Sequence, residues 1–199
     1  MKGARPNAEP VVFSTALEGL FERGIGPRLD AAAKERLLDI GIDVSRPFLP
    51  AYTLEQWVQA IQIAAESVFP QLSREEAEFQ LGREFVAGVK RTVMGRALWA
   101  YGFAVGGRRM MERMSSNFRS CNNYTEAELV DSPEGLVMET RVARELLPKF
   151  EGRTSASSEY MRGVLHGILE LGGMKDVYVE RIAEDPELRL TRFRLHFHE

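Results

Sequence analysis

The hydrophobic period of the chain changes near Phe118, and this change constrains the fold more than any other feature of the sequence. Before Phe118, apolar residues recur at the three- and four-residue spacing of amphipathic helices. After it, short segments alternate between apolar and polar residues, as in strands that bury one face. The pattern predicts an α+β domain in which about five helices precede an antiparallel sheet.

The predicted helices have clear starts and stops. Capping boxes begin two of them, at Thr53 to Gln56 and at Ser73 to Glu76. Gly41 follows the helix before them and suits a left-handed C-terminal cap. The last helical run, from Met94 to Met111, is interrupted by glycines that weaken a helix or let another backbone approach: Gly102, Gly106 and Gly107. Residues 11–117 are therefore predicted to form a helical half.

Residues 118–199 are predicted to form a ββαββ unit. A hairpin joins residues 124–131 to residues 136–143 through a turn that contains Pro133 and Gly135. A helix from Ser155 to Leu171 follows, and two further strands, at residues 177–183 and 191–198, end the chain. Residues 1–10 lack any apolar period and are interpreted as a flexible tail, so residues 11–199 are expected to form one domain.

Composition narrows the classes of function. The formal net charge of −3 gives no general electrostatic reason to approach nucleic acid or anionic lipid. The only cysteine, Cys121, can form neither an internal disulfide nor a cysteine-based zinc cluster. No secretory h-region follows Lys2 and Arg5, and no apolar run is long enough to span a bilayer. We therefore expect a cytoplasmic protein that neither spans a membrane nor binds nucleic acid.

The titratable side chains do not form a recognisable catalytic constellation. No nucleophile elbow, phosphate-binding loop, dinucleotide fingerprint or metalloprotease motif is present, so we expect no enzymatic activity. His166 shares a predicted helix face with Arg162 and Glu170 and is interpreted as solvated. His196 and His198 lie on one face of the last strand, which favours an exposed strand face over a metal site.

Arginines cluster where the helical half meets the sheet, and they form one candidate anion site: Arg109, Arg113 and Arg119. Arg109 and Arg113 have the Arg-x-x-x-Arg spacing that some cyclic-dinucleotide receptors use. Val130 departs from the acidic or amide residue of that signature, and the helical half does not suit the β-barrel to which it belongs. The cluster is therefore more typical of a solvated helix end.

A stripe of small residues marks one side of the C-terminal helix, at Ala156, Gly163 and Gly167. Such a stripe allows another backbone to pack closely, either another helix of the domain or a dimer partner, or it leaves room for a pocket. Aromatic and methionine side chains could line that pocket, although most are expected in the core. The candidate pocket residues are Met94, Trp99, Tyr101, Met111, Gly163 and Gly167.

Several segments resemble a paralogous family of proteins of about this length that is restricted to myxobacteria and has no assigned function. The resemblance is carried by residues 118–124 (FRSCNNY), 41–43 (GID), 81–83 (LGR), 92–95 (TVMG) and the helix from Gly163 to Gly173. It extends over nearly the whole chain. It implies a cytoplasmic bacterial protein and brings no known functional residues.

The order of helices followed by ββαββ more remotely resembles a fold shared by haem-nitric-oxide-binding domains, four-vinyl-reductase small-molecule sensors and TRAPP vesicle-tethering subunits. This resemblance implies an apolar cavity between helices and sheet, often in a dimer. The Tyr-x-Ser-x-Arg signature of the haem group is absent, as are the late cysteines of the four-vinyl-reductase domain. We therefore expect neither haem nor another cofactor, and fold analogy alone does not supply a function.

Three hypotheses remain open from the sequence. The leading one is a non-enzymatic signalling sensor or adaptor that holds a small apolar or aromatic ligand between helices and sheet and acts through a protein partner. The alternative is a protein-interaction module, a homodimer or hetero-complex, with a filled core. The third is an anion or nucleotide receptor that uses Arg109, Arg113 and Arg119.

Overall fold

The helices of the N-terminal half pack around one apolar core. The computed structural model describes residues 9–92, 95–97, 99–100, 105–153 and 157–198. Helix α1 begins at Ser14–Leu17 and continues as a π-helical stretch at Glu18–Gly24. It is followed by α2 at Ala31–Asp39, α3 at Leu54–Val68 and α4 at Arg74–Lys90. The predicted helical half is confirmed.

Local capping chemistry sets these helix boundaries. The Thr53 hydroxyl accepts from the Gln56 backbone N–H at 3.2 Å, and the Gln56 side chain accepts from the Thr53 N–H at 2.9 Å. Ser73 and Glu76 make the same reciprocal pair at the start of α4. Gly41 follows α2 with a φ of +83°, the left-handed geometry that ends a helix at least cost for glycine.

A short two-stranded sheet was not predicted. Strand β1 at Val11–Phe13 pairs antiparallel with β2 at Ala51–Thr53, so the segment that starts at Val12 is a strand before it becomes a helix. Three-residue strands are too short to display an alternating pattern, which explains why the sequence did not reveal them.

The last helical run contains a break at Gly106. Residues 95–97, 99–100 and 105 are helical, and helix α5 then spans Gly107–Ser115. Gly106 has a φ of +83°, which interrupts the run as its glycine content predicted. Met94, Tyr101 and Gly102 lie outside the described residues.

The C-terminal half is the predicted ββαββ unit. Strands β3 at Thr125–Ser132 and β4 at Gly135–Val142 form the hairpin, α6 spans Ser158–Leu171, and β5 and β6 follow at Lys175–Asp185 and Leu190–His198. The antiparallel sheet has the order β3-β4-β6-β5. Met138 faces Phe193 across the central pair, and both side chains are fully buried. One core cluster joins both halves.

Two residues of the predicted N-terminal tail, Glu9 and Pro10, are held by the fold. Glu9 and Pro10 fall within the tail predicted for residues 1–10, yet Pro10 is buried and Glu9 is bound. The Glu9 carboxylate lies 2.6 Å from the Lys149 ammonium. The backbone carbonyl of Glu9 accepts a hydrogen bond from the Asn123 side chain at 2.8 Å. These contacts depend on tertiary structure and leave no local pattern. In the described part of the chain, no helix has the length and apolarity needed to cross a membrane.

Candidate ligand-binding site

A cavity of about 610 Å³ lies between the helical half and the sheet. Its volume is within the range of small-molecule sites in proteins. Helices α3, α4 and α6 supply one wall, and β3, β4 and the turn before β6 supply the other. The inner wall consists mainly of aromatic and aliphatic side chains: Trp57, Phe85, Phe118, Tyr124, Phe150, Tyr160 and Val164.

Tyr160 is the most informative residue of this first cavity. It lies in the first turn of α6, is 6% exposed, and its ring packs edge-on against Trp57 with a centroid distance of 6.0 Å. Its hydroxyl has no hydrogen-bond partner among the described residues. Buried hydroxyls are nearly always paired, because leaving one unpaired costs about 1–3 kcal/mol. A polar group on a ligand would relieve that cost.

The inner protic groups of the first cavity are uncharged. Burial raises the pKa of the Tyr160 hydroxyl well above its usual range, and the nearby Cys121 thiol adds to the effect. Burial likewise raises the pKa of Tyr124 and of the Cys121 thiol. The inner cavity therefore offers neutral hydrogen-bonding groups at physiological pH and no phenolate or thiolate.

The rim of the first cavity carries charges that are already paired. The Arg141 Nε lies 3.2 Å from the Glu126 carboxylate, and Arg153 lies 3.3 Å from Glu55. Arg189 donates to two backbone carbonyls, those of residues 150 and 153, at 3.0 and 3.1 Å. Two rim carboxylates are also engaged. The Glu184 carboxylate lies 3.3 Å from the Arg181 guanidinium, and the Asp185 carboxylate accepts from the backbone N–H groups of residues 187 and 188, each at 3.0 Å.

A second cavity of about 690 Å³ borders the first. It lies among α1, α4, α5 and α6. The Trp99 side chain is 3% exposed at its wall, and the indole N–H has no hydrogen-bond partner within the described residues. The two cavities share four lining residues: Phe85, Phe118, Cys121 and Val164. The shared wall makes them neighbouring compartments of one apolar region.

The predicted pocket residues that the structure describes are not brought together around either cavity. Trp99 lines the second cavity, whereas Met111 is fully buried in the core and borders neither cavity. Met94 and Tyr101 lie outside the described residues, as does Ala156 of the small-residue stripe. Some of the residues that line the first cavity were predicted to lie in the core, and the others were not singled out from the sequence.

Gly163 and Gly167 face α4 instead of a cavity. A methyl group at Gly163 would overlap the backbone carbonyl of Phe79, and one at Gly167 would lie 3.2 Å from the Val86 Cβ. Gly82 on α4 approaches the α6 backbone in the same way. Gly163 and Gly167 therefore allow α6 to pack closely against another helix of the same domain, which is one of the alternatives that the sequence left open.

The candidate anion site is partly occupied by ion pairs. Arg119 lies near the carboxylates of Glu126 and Glu145. Arg109 and Arg113 are exposed on α5, and Arg113 borders the second cavity. The neighbouring Arg108 is bound by both carboxylate oxygens of Asp131, at 2.6 and 2.8 Å. Because Arg119 is paired, the three predicted arginines do not form a cluster of unpaired guanidiniums.

His166 is half-buried, so the prediction that it is solvated was wrong. Its ring packs edge-on against Phe79 of α4 with a centroid distance of 5.5 Å. Burial lowers the pKa of its imidazole, and the charge of Arg83 lowers it further. The sequence showed only the neighbours on the same helix. In the described chain, no group of three or more histidine, cysteine, aspartate or glutamate residues is arranged to hold a metal ion.

The lining residues that sequence reasoning missed gave little signal. Trp57, Phe85 and Val164 belong to helical apolar stripes, and periodicity cannot distinguish a side chain that fills the core from one that borders a void. Tyr160 was the exception, since a hydroxyl at the start of a buried helix face needs a partner.

The architecture is similar to that of solved H-NOX domains. A doubly substituted H-NOX domain has a TM-score of 0.64 at 11% identity, with 94% of this chain and 95% of that chain covered. An oxygen-binding H-NOX domain related to soluble guanylate cyclases has a TM-score of 0.58 at 14% identity, with 93% and 92% covered. A mutant H-NOX domain of T. tengcongensis has a TM-score of 0.56 at 14% identity, with 93% and 94% covered. At these identities the similarity establishes the fold alone. No curated protein matches the chain.

Haem, which is named for H-NOX relatives, does not fit the residues present. Haem iron in proteins is held by histidine, thiolate, methionine or tyrosinate. The three histidines of the chain lie outside both cavities, at positions 166, 196 and 198. Cys121, Tyr124 and Tyr160 do line the first cavity, but burial opposes the ionisation that ligation by a thiolate or tyrosinate requires. Met161 and Met114 line the first and second cavities, but a methionine thioether holds haem iron together with a histidine.

The sequence itself determines the family. A family model described as "Protein of unknown function (DUF2378)" matches residues 10–195, which include the described elements of both halves. The match spans nearly the whole chain, in agreement with the resemblance to a family of unassigned function. The chain therefore belongs to the DUF2378 family.

Proposed function

We propose that the domain is a non-enzymatic, cytoplasmic sensor or adaptor that binds a small, largely apolar ligand in the first cavity. The observation that carries the proposal is the aromatic first cavity, whose lining residue Tyr160 has a buried hydroxyl with no partner among the described residues. An apolar cavity with a few placed polar groups is the usual form of a small-molecule site. The H-NOX-like architecture supports the same role by analogy.

A sensor must pass its occupancy to a partner. The first cavity touches both halves of the domain, so a ligand would contact α3, α4 and α6 on one side and β3 and β4 on the other. If the helices can sit on the sheet in two arrangements, a ligand would shift the population toward the arrangement that it binds more tightly. The size of the shift is set by the difference between the ligand's affinities for the two arrangements. A second copy of the chain is the first partner to examine.

The test compares native with denaturing mass spectra of the protein purified from its own host. We expect extra mass in the native spectrum that denaturation releases. The same native spectrum reports whether the protein is a monomer or a homodimer. A bare mass from freshly purified protein would contradict the sensor proposal and favour an interaction module with a filled core.

A cavity-filling variant makes this test specific. Val164 is buried and lines both cavities, so Val164→Phe would occupy the ligand space and remove the extra mass. Val130→Phe is the matched control, because Val130 lies half-buried on β3 and lines neither cavity. Loss of the mass in both variants, or in neither, would argue against binding in these cavities.

A further inference from the structure

Charge and hydrogen bonding in the first cavity restrict the chemistry of its ligand. The lining contains aromatic rings, aliphatic side chains and neutral protic groups, and its charged residues are arginines and carboxylates that are already paired. The rim cations are held by Glu126, Glu55 and backbone carbonyls. An anion placed inside would therefore lose its hydration without gaining a free cation, which is costly.

The position of the unpartnered donor adds a second restriction. The Tyr160 ring packs between Trp57 and Phe85, with centroid distances of 6.0 and 6.1 Å, so the ring is held in place by aromatic neighbours on α3 and α4. Its hydroxyl is consequently a fixed and fully buried group behind the apolar wall, and a ligand acceptor would reach it by displacing the side chains that cover it. A ligand atom that accepts from it would gain both a hydrogen bond and orientation.

We infer that the ligand is an uncharged, flat, mostly apolar molecule that presents one hydrogen-bond acceptor, such as a carbonyl oxygen, to the Tyr160 hydroxyl. This inference rests on the proposed ligand-binding function and specifies its ligand class. Trp57 and Phe85 would contact the apolar body of the ligand, and Tyr160 would select the acceptor. The unionised state of the buried tyrosine agrees with a donor role.

Three probes of the same ring system separate the possible chemistries. 2-Acetylnaphthalene carries a neutral acceptor, 2-ethylnaphthalene has nearly the same shape without the oxygen, and 2-naphthoate is an anion. Binding to the full chain is followed by quenching of Trp57, which lines the first cavity, in a Trp99→Phe background that removes the only other tryptophan. Calorimetry on the unmodified chain checks that this background does not alter binding.

The decisive variant is Tyr160→Phe, which removes the hydroxyl and keeps the ring. We expect it to weaken 2-acetylnaphthalene binding about tenfold and to leave 2-ethylnaphthalene binding unchanged. The exposed Tyr178→Phe is the matched control and should change neither. In the unsubstituted chain, the carbonyl stretching frequency of bound 2-acetylnaphthalene should fall as hydrogen bonding requires, and Tyr160→Phe should reverse that shift.

The contrary outcomes are distinct. Equal weakening of the acetyl and ethyl probes by Tyr160→Phe, or no weakening of either, would overturn the acceptor inference and leave the cavity as a binding site. Tightest binding of 2-naphthoate would also overturn it and indicate an anionic ligand. Failure of all three probes to bind would contradict both this inference and the proposed function.

Discussion

Two buried or half-buried polar side chains should affect ligand binding and stability more than the charged side chains of the surface do. The ion pairs of Arg108, Arg119 and Arg141 are solvent-exposed, and such pairs contribute little to stability. Tyr160 and His166, in contrast, are wholly or partly removed from water within the same helix, α6. Their burial affects both binding and pH dependence.

His166 should make stability depend on pH. Because burial and Arg83 lower its folded-state pKa below 6.5, the unfolded chain binds the proton more readily. Arg162 also disfavours the proton, whereas Glu170 favours it. The stabilising contribution is therefore present above pH 6.5 and is lost as the pH falls below that value. Between pH 7.5 and pH 5.5, the free energy of unfolding measured in urea should fall less for His166→Gln than for the unsubstituted chain.

The control for this pH effect is His196→Gln, since His196 is exposed on β6. Its unfolding free energy should fall with pH as much as that of the unsubstituted chain. If His166→Gln kept the full pH dependence, the half-buried environment of His166 would not be its source.

At the scale of elements, α4 and α6 cross closely because glycines stand at the contact. The crossing places Gly82 and Gly163 against the opposing backbone, where no side-chain atom fits. It also presents Phe85 and Val164 toward the cavities. The same seam therefore supports the fold and positions the cavity wall.

Two alanine substitutions on α6 should distinguish a severe overlap with α4 from a mild one. Gly163→Ala should lower the free energy of unfolding by about 3 kcal/mol or more, because the methyl group would overlap the Phe79 carbonyl and one helix must move. Gly167→Ala should change it by no more than about 1 kcal/mol, since its methyl group would lie 3.2 Å from the Val86 Cβ and 3.3 Å from the Arg83 Cα, a mild overlap that the gain in helix propensity offsets. Equal, small effects in urea unfolding would contradict the close crossing.

For the whole molecule, the sequence predicted the order of elements far better than the site. The change from helical to alternating period near Phe118 predicted the α+β order, and capping residues such as Thr53 and Ser73 predicted helix starts. These features depend on contacts within a few residues. The pairing of β1 with β2, the half-burial of His166 and the cavity beside Tyr160 depend on elements distant in sequence.

A crystal structure of the protein purified from its own host tests the ligand cavity most directly. We predict continuous density that is not protein between Trp57, Tyr160 and Thr140, with an acceptor atom at hydrogen-bonding distance from the Tyr160 hydroxyl. A core in which Phe85, Phe118 and Val164 close this space, with Tyr160 paired to another residue of the chain, would contradict it.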